Sequence, residues 1–146
     1  MTITYEDIIK AQETQSDVIR KTSLSFSATF SKICGANVYL KNEYEQKTGS
    51  FKIRGAYYKI KSLTDEEKSK GVVAASAGNH SQGVAFASQI ENIPCTIVMP
   101  KTASPAKVAA TKGYGAKVVL EGITYDESWA HAQKIAEEKG ATIIHA

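Results

Sequence analysis

The sequence predicts an α/β fold built on a parallel sheet of βαβ units. From Val72 onward, short runs rich in β-branched residues alternate with amphipathic segments that carry helix start signals. Successive runs begin more than 20 residues apart, which suits a strand, a crossover helix and a parallel strand but is too long for hairpins. The strands are predicted at residues 72–75, 95–99, 116–120 and 141–145.

The helices between these strands are predicted at residues 79–91, 105–112 and 125–139. Thr124 with Glu127 three residues later has the pattern of a capping box, and Ser104 is the expected N-cap before a proline. Gly113 and Gly140 stand where left-handed C-caps are expected.

The first 70 residues do not continue this repeat. They predict helices at residues 5–15, 27–34, 51–61 and 65–70, and a strand at residues 37–41. Thr4 and Asp7 are expected to cap the first helix, and Gly35 to close the second. We therefore expect a domain boundary near residue 70, with residues 1–70 forming part of one domain and residues 71–146 a smaller α/β domain.

Composition excludes several classes of function. The 146 residues are 42% hydrophobic and 23% charged, and the net charge of +3 is spread among interleaved acids and bases, so no nucleic-acid patch is expected. No apolar run is long enough to span a membrane and no signal peptide is recognisable, which predicts a cytoplasmic protein. Cys34 and Cys95 lack metal-ligand spacing and are expected to be buried, with no metal site.

A first candidate site lies in residues 48–56, Thr-Gly-Ser-Phe-Lys-Ile-Arg-Gly-Ala, where a flexible turn leads into a helix. Lys52 falls in the first helical turn, where the partial positive charge of the helix end disfavours a protonated ammonium. The lysine would then be a neutral amine nucleophile. The plainer alternative, in which Gly49 and Ser50 only cap a helix and Lys52 and Arg54 are solvated, is favoured by spacing alone.

A second candidate site lies in residues 76–83, Ser-Ala-Gly-Asn-His-Ser-Gln-Gly, between a strand and the next helix. Small residues at the carboxyl end of a parallel strand let main-chain amides reach a carboxylate or phosphate. Asn79 and His80 would add side-chain donors. The alternative, a simple strand-to-helix turn with Asn79 as N-cap, stays open on the pattern alone.

Together the two segments resemble the pyridoxal-phosphate enzymes of fold type II, the tryptophan-synthase-β-like fold, and specifically the serine/threonine dehydratases. That family carries a Gly-Ser-Phe-Lys-x-Arg-Gly-Ala segment and a Ser-Ala-Gly-Asn-His-x-Gln-Gly loop, and residues 49–56 and 76–83 match at each defining position. Three flanking segments match as well, namely residues 40–43, 98–100 and 107–111.

The resemblance implies a role for each matching residue. Lys52 would hold pyridoxal phosphate as a Schiff base and then remove the α-proton of the substrate, with Phe51 beside the cofactor ring. Asn79 would also bond to the ring hydroxyl. The substrate carboxylate would be bound by the loop residues Ser76, Ala77, Gly78, Asn79 and His80.

The implied reaction is dehydration and deamination of L-threonine, and of L-serine, to 2-oxobutanoate or pyruvate and ammonia, which would suit amino-acid metabolism including isoleucine biosynthesis. Eukaryotic-type serine racemases carry Ser at the second position of the loop, where this chain has Ala77. A methyl group cannot transfer a proton, so elimination is favoured over racemisation.

The family implies partners and a longer chain. Its members run to about twice this length, and the second half holds a glycine-rich loop that binds the cofactor phosphate. We therefore expect a fragment that lacks hydrogen bonds worth roughly 1.5 to 3 kcal/mol each, binds the cofactor weakly and is inactive alone. The complete enzyme would be a dimer or tetramer. A nucleotide effector could bind at Lys47 and Thr48, although Lys47 is more simply an ordinary solvated lysine.

Overall fold

A computed structural model describes residues 2–146 and contains two separate sheets. The helices are α1 (Tyr5–Thr14), α2 (Ala28–Cys34), α3 (Lys52–Lys61), α4 (Asp65–Lys70), α5 (Asn79–Ile90), α6 (Pro105–Gly113) and α7 (Tyr125–Lys139). The strands are β1 (Leu24–Phe26), β2 (Tyr39–Lys41), β3 (Val72–Ala75), β4 (Cys95–Met99), β5 (Lys117–Leu120) and β6 (Thr142–Ile143). A short 3-10 helix covers Glu43–Glu45.

The larger sheet confirms the predicted α/β fold. Its strand order is β5-β4-β3-β6, and all three pairings are parallel. Val72 at the start of β3 is paired with Cys95 of β4 on one side and with Thr142 of β6 on the other. Because β3 is central and buried along its whole length, the loop that follows it starts from a fixed point.

Most helix ends follow the sequence signals. Thr4 and Thr124 form the predicted capping boxes, and Gly140 adopts the left-handed conformation with φ of 64°. The expectation for Gly113 was wrong: this residue is the last of α6, and the left-handed glycine is Gly115, with φ of 82°. The helix continues one residue further than predicted, so the reversal is displaced along the chain.

The amino-terminal part contains a small sheet that the sequence did not predict. β1 pairs antiparallel with β2, with Phe26 opposite Tyr39. Each strand has only three residues, and all of them are exposed. Neither strand therefore shows the alternation of apolar and polar residues that marks a half-buried strand. The strand predicted at residues 37–41 is present as β2 and is two residues shorter than predicted.

The core lies on both faces of the parallel sheet. Along β3, Val72 and Ala74 contribute to one buried cluster and Val73 and Ala75 to the other, as expected when successive side chains alternate between faces. The first cluster joins the sheet to α3 and α5, and the second joins it to α7. The boundary near residue 70 stays a prediction. The first cluster includes residues from both sides of it, so the core is continuous across that point.

The expectation that both cysteines are buried was wrong for Cys34 and holds in part for Cys95. Cys34 is exposed because it ends α2, a helix with no buried residue. Cys95 is only partly accessible, and burial raises the pKa of its thiol to about 11. Within residues 2–146, no helix combines the length and the apolar character needed to cross a membrane.

Candidate active site

The loop at residues 76–78 lies at the carboxyl end of β3 and leads directly into α5. It is held from three directions: the Ser76 amide donates to the Val98 carbonyl over 3.1 Å, the Gly78 amide to Ser76 Oγ over 3.2 Å, and Ser81 Oγ to the Gly78 carbonyl over 2.6 Å. The loop is therefore fixed before any ligand binds, which lowers the entropy lost on binding.

Free main-chain donors remain in this loop. Within residues 2–146, the amides of Ala77, Asn79 and His80 have no hydrogen-bond acceptor. Gly78 occupies the N-cap position and Asn79 is the first helical residue, so the alternative in which Asn79 caps the helix was wrong. Unpaired amides at the start of a helix suit an anion such as a carboxylate.

Lys52 is the first residue of α3, as the sequence predicted to within one residue. Its side chain is partly buried, and within residues 2–146 its ammonium has no hydrogen-bond or ion-pair partner; Nζ lies 5.4 Å from the centre of the Phe51 ring. No side chain caps this helix, whose N-cap residue is Phe51, and Ser50 is buried with its hydroxyl unpaired among the described residues. The capping role considered for Ser50 is therefore not observed.

The start of α3 is fixed by an ion pair that the sequence did not indicate. Arg54 donates from Nε and Nη2 to the carboxylate of Glu43, over 2.9 and 2.8 Å, and Thr22 donates to the same carboxylate over 2.7 Å. The hydrogen bond from Arg54 lowers the pKa of Glu43 to about 2. Arg54 is thus engaged rather than simply solvated, and its pairing orients the first turn that carries Lys52.

Gly83 brings the two candidate segments together. A Cβ atom at this position would lie 3.1 Å from the carbonyl carbon of Lys52 and 3.2 Å from the amide nitrogen of Ile53. Such contacts are shorter than ordinary carbon separations of 3.5 to 4.0 Å, so only glycine lets α5 approach α3 this closely. As a result, the main chain of Lys52 lies against α5 about one turn after the loop at residues 76–78 leads into this helix.

The His80 side chain has a different role from the one expected. It is buried, and Nε2 donates to the carbonyl of Ile144 over 3.0 Å. Burial lowers the pKa of His80, and the nearby charge of Lys52 lowers it further. A neutral imidazole whose only N–H is used in this bond cannot donate to a ligand, so only the main-chain amide of His80 remains as a donor.

The remaining predicted residues are Lys47, Thr48 and Phe51. Lys47 is exposed, with Nζ 5.9 Å from the centre of the Phe86 ring, and its carbonyl accepts a 3.5 Å hydrogen bond from Tyr114. Thr48 is buried, and its hydroxyl is unpaired within residues 2–146. Phe51 is 58% exposed and lines a groove of about 1140 Å³ between α1 and α3.

Comparison with known proteins identifies the family. A family model described as pyridoxal-phosphate dependent enzyme matches residues 15–146, which is most of the chain. The chain belongs to the pyridoxal-phosphate dependent enzyme family. This confirms the resemblance drawn from the two motifs, and pyridoxal phosphate is the cofactor of that family.

Three individual similarities refine this result. The chain is 53% identical over 143 residues to an L-threonine ammonia-lyase of Thermotoga maritima, covering 98% of this chain and 36% of that protein. The structure resembles threonine deaminase isoform 2 of Solanum lycopersicum (TM-score 0.85, 38% identity, 99% of this chain and 41% of that one). It also resembles serine racemase of Dictyostelium discoideum (TM-score 0.90, 38% identity, 99% and 47%). The chain therefore spans less than half the length of each.

The residues of this chain fit part of such a cofactor. The aldehyde of pyridoxal phosphate needs a primary amine without competing partners, which Lys52 offers, and the exposed Phe51 ring lies beside that amine. The free amides beside Asn79 suit an anionic group. The 146 residues contain no consecutive glycines, so they lack the glycine-rich phosphate loop that the family resemblance implies.

Sequence reasoning missed two features of this site. The contact between Gly83 and Lys52 joins two motifs that are far apart in the chain, and only the presence of a glycine inside the second motif hinted at it. The hydrogen bond from Lys107 to Asn79 was also missed, although Lys107 lies in one of the flanking segments that resemble the family.

Proposed function

We propose that this chain supplies the cofactor lysine and the carboxylate-binding loop of a pyridoxal-phosphate-dependent threonine dehydratase. The observation that carries the proposal is the close approach at Gly83, which packs the main chain of Lys52 against the helix that follows a loop of unpaired amides. A nucleophilic amine next to an anion site is the arrangement that an α-amino acid substrate requires.

Each residue then has a defined task. Lys52 would hold the cofactor through Nζ and would accept the α-proton of the substrate at the same atom. The amides of Ala77, Asn79 and His80, with Ser76 and Gly78 shaping the loop, hold the substrate carboxylate. Phe51 would pack beside the cofactor ring, and Asn79 would donate to the ring hydroxyl. The bound cofactor supplies the electron-withdrawing ring that makes the α-proton acidic.

Elimination is the proposed outcome for L-threonine, and for L-serine. The similarity to a serine racemase favours racemisation as a second candidate. Ala77 argues against it, because its methyl group cannot deliver a proton to the opposite face of the substrate. Loss of the β-hydroxyl, followed by hydrolysis, would release 2-oxobutanoate from threonine or pyruvate from serine, together with ammonia.

The wider assignments remain predictions that accompany this proposal. Residues 1–70 would belong to the cofactor domain and residues 71–146 to the domain that grips the substrate. The chain alone would be inactive, and the complete enzyme would be a cytoplasmic homo-oligomer that serves isoleucine biosynthesis. A nucleotide site at Lys47 and Thr48 has less support, because the Thr48 hydroxyl is buried.

Labelling of the lysine tests the cofactor role without requiring activity. The chain is mixed with pyridoxal phosphate, reduced with borohydride and digested, and the modified lysines are identified by mass spectrometry. We expect the label to concentrate on Lys52 and to be lost in Lys52→Ala, while the exposed Lys59 is labelled weakly. Equal labelling of Lys52 and Lys59 would contradict the proposal.

A chimera tests the reaction. This chain would replace the matching part of the Thermotoga maritima L-threonine ammonia-lyase, to which it is 53% identical. We expect 2-oxobutanoate from L-threonine and no D-serine from L-serine, and we expect Lys52→Ala to abolish product formation. D-serine production at a rate comparable to elimination would favour the racemase alternative.

A further inference from the structure

A lysine outside the two motifs contacts the side chain of Asn79. Lys107 is in the first turn of α6, and its Nζ donates to Oδ1 of Asn79 over 3.1 Å. An ammonium has hydrogens only, so the atom that faces it must be the amide oxygen. This contact therefore fixes which way the Asn79 amide is turned and leaves Nδ2 as a donor for another group.

Buried hydroxyls hold Lys107 in place relative to the loop. Thr111 Oγ1 donates to the Lys107 carbonyl over 2.9 Å and lies 3.2 Å from Ser81 Oγ, which in turn donates to the carbonyl of Gly78 over 2.6 Å. Thr111 and Ser81 are both fully buried. Consequently one hydroxyl is bound to the first turn of α6 and the other to the loop at residues 76–78, and the two hydroxyls are in contact at a position without access to water.

We propose that Lys107 is a positioning residue that orients the Asn79 amide so that Nδ2 donates to the bound cofactor. The inference rests on the proposed function, in which Asn79 meets the cofactor hydroxyl. Without Lys107 the amide could rotate by half a turn and present its oxygen, which would repel another acceptor. The charge of Lys107 also polarises the amide, and a hydrogen bond to a charged group strengthens the next bond in the chain.

The proposal predicts a loss of cofactor affinity when Lys107 can no longer donate. We expect Lys107→Met to weaken pyridoxal phosphate binding about tenfold, the loss of one charge-assisted hydrogen bond. Lys107→Arg retains a donor and should recover most of this loss. Lys112→Met is the matched control, because Lys112 is an exposed lysine of the same helix and the change in net charge is identical.

A double-mutant cycle separates positioning from a direct effect of charge. If Lys107 acts through Asn79, then Lys107→Met should have no further effect on pyridoxal phosphate affinity in an Asn79→Ala background. A tenfold loss that persists in that background would mean that Lys107 acts on the cofactor directly, and would overturn the proposal. Unchanged thermal unfolding of each variant shows that the fold is intact.

A second measurement needs no cofactor. The side-chain amide protons of Asn79, observed by nuclear magnetic resonance, should shift in Lys107→Met and stay unchanged in Lys112→Met. No shift in either variant would overturn the proposed contact. If the wild-type chain is labelled at Lys52 but Lys107→Met binds pyridoxal phosphate as tightly as wild type, only the role of Lys107 is contradicted. If the wild-type chain is not labelled at Lys52, the proposed function and this inference are both contradicted.

Discussion

Replacement of Gly83 by alanine tests the contact that packs the main chain of Lys52 against α5. The new Cβ would lie 3.1 to 3.3 Å from three main-chain atoms of Lys52 and Ile53. Main-chain atoms cannot rotate aside as side-chain ends do, so α3 must move away by a few tenths of an ångström. Overpacking of this kind costs about 1 to 3 kcal/mol, whereas alanine in a helix gains about 1 kcal/mol over glycine. We expect a net destabilisation of about 1 kcal/mol.

Gly55→Ala provides the matched control. Gly55 lies in α3, and a Cβ atom there meets nothing within 4 Å. This variant should gain up to about 1 kcal/mol from helix propensity alone. Because both substitutions share that gain, the difference between the two variants isolates the cost of the contact, about 1 to 3 kcal/mol.

Urea unfolding followed by circular dichroism gives the free energies, and borohydride labelling at Lys52 reports on the site. Gly83→Ala should lower both stability and labelling, and Gly55→Ala should lower neither. If Gly83→Ala were as stable as Gly55→Ala, α3 and α5 could not be as close as described. The explanation for the position of Lys52 would then be wrong.

Three further predictions concern titrating groups. Arg54 lowers the pKa of Glu43 from 4.5 to about 2. This shift corresponds to about 3 kcal/mol in the free energy of unfolding, or about 1 to 2 kcal/mol after allowance for the 37% exposure of the Arg54 side chain. This stability is present above pH 4.5 and lost as pH falls through 2, so Glu43→Gln should unfold more easily at neutral pH and show a flatter acid dependence by urea titration. The lowered pKa of His80 contributes stability above pH 6.5 that is lost as pH falls below it; a His80→Gln variant with the wild-type pH profile would contradict this. A thiol reagent should modify the exposed Cys34 faster than the partly buried Cys95, because burial raises the pKa of the Cys95 thiol to about 11 and so lowers its thiolate fraction; equal rates would contradict this.

The sequence predicted the regular part of the fold because its signals are local. β3 and β4 were predicted to the residue, since each is a short β-branched run that is buried on both faces. The capping boxes at Thr4 and Thr124 marked helix starts because both partners lie within four residues of each other. By contrast, β1 is stabilised by pairing with a strand more than ten residues away, which no local pattern reports.

The candidate site was likewise predicted where its signals are local and missed where they depend on long-range contacts. The two motifs identified Lys52 and the loop at residues 76–80, and the fold brings them together. The His80 imidazole bonds to the carbonyl of Ile144, which lies 64 residues further along the chain and could not be predicted as its partner. The histidine side chain alone suggested a donor to a ligand rather than a hydrogen bond within the fold. The sequence likewise gave no sign that Lys107 differs from other surface lysines, because its contact with Asn79 depends on how α6 packs beside the loop.

The close packing at Gly83 also has a mechanical consequence. α3 and α5 share one buried core and touch main chain to main chain, so sliding one past the other would break contacts across the whole cluster. The main chain of Lys52 and the start of α5 are therefore expected to move together. The boundary predicted near residue 70 would then not act as a hinge between α3 and α5, and a motion that opens the proposed site would have to occur elsewhere in the molecule.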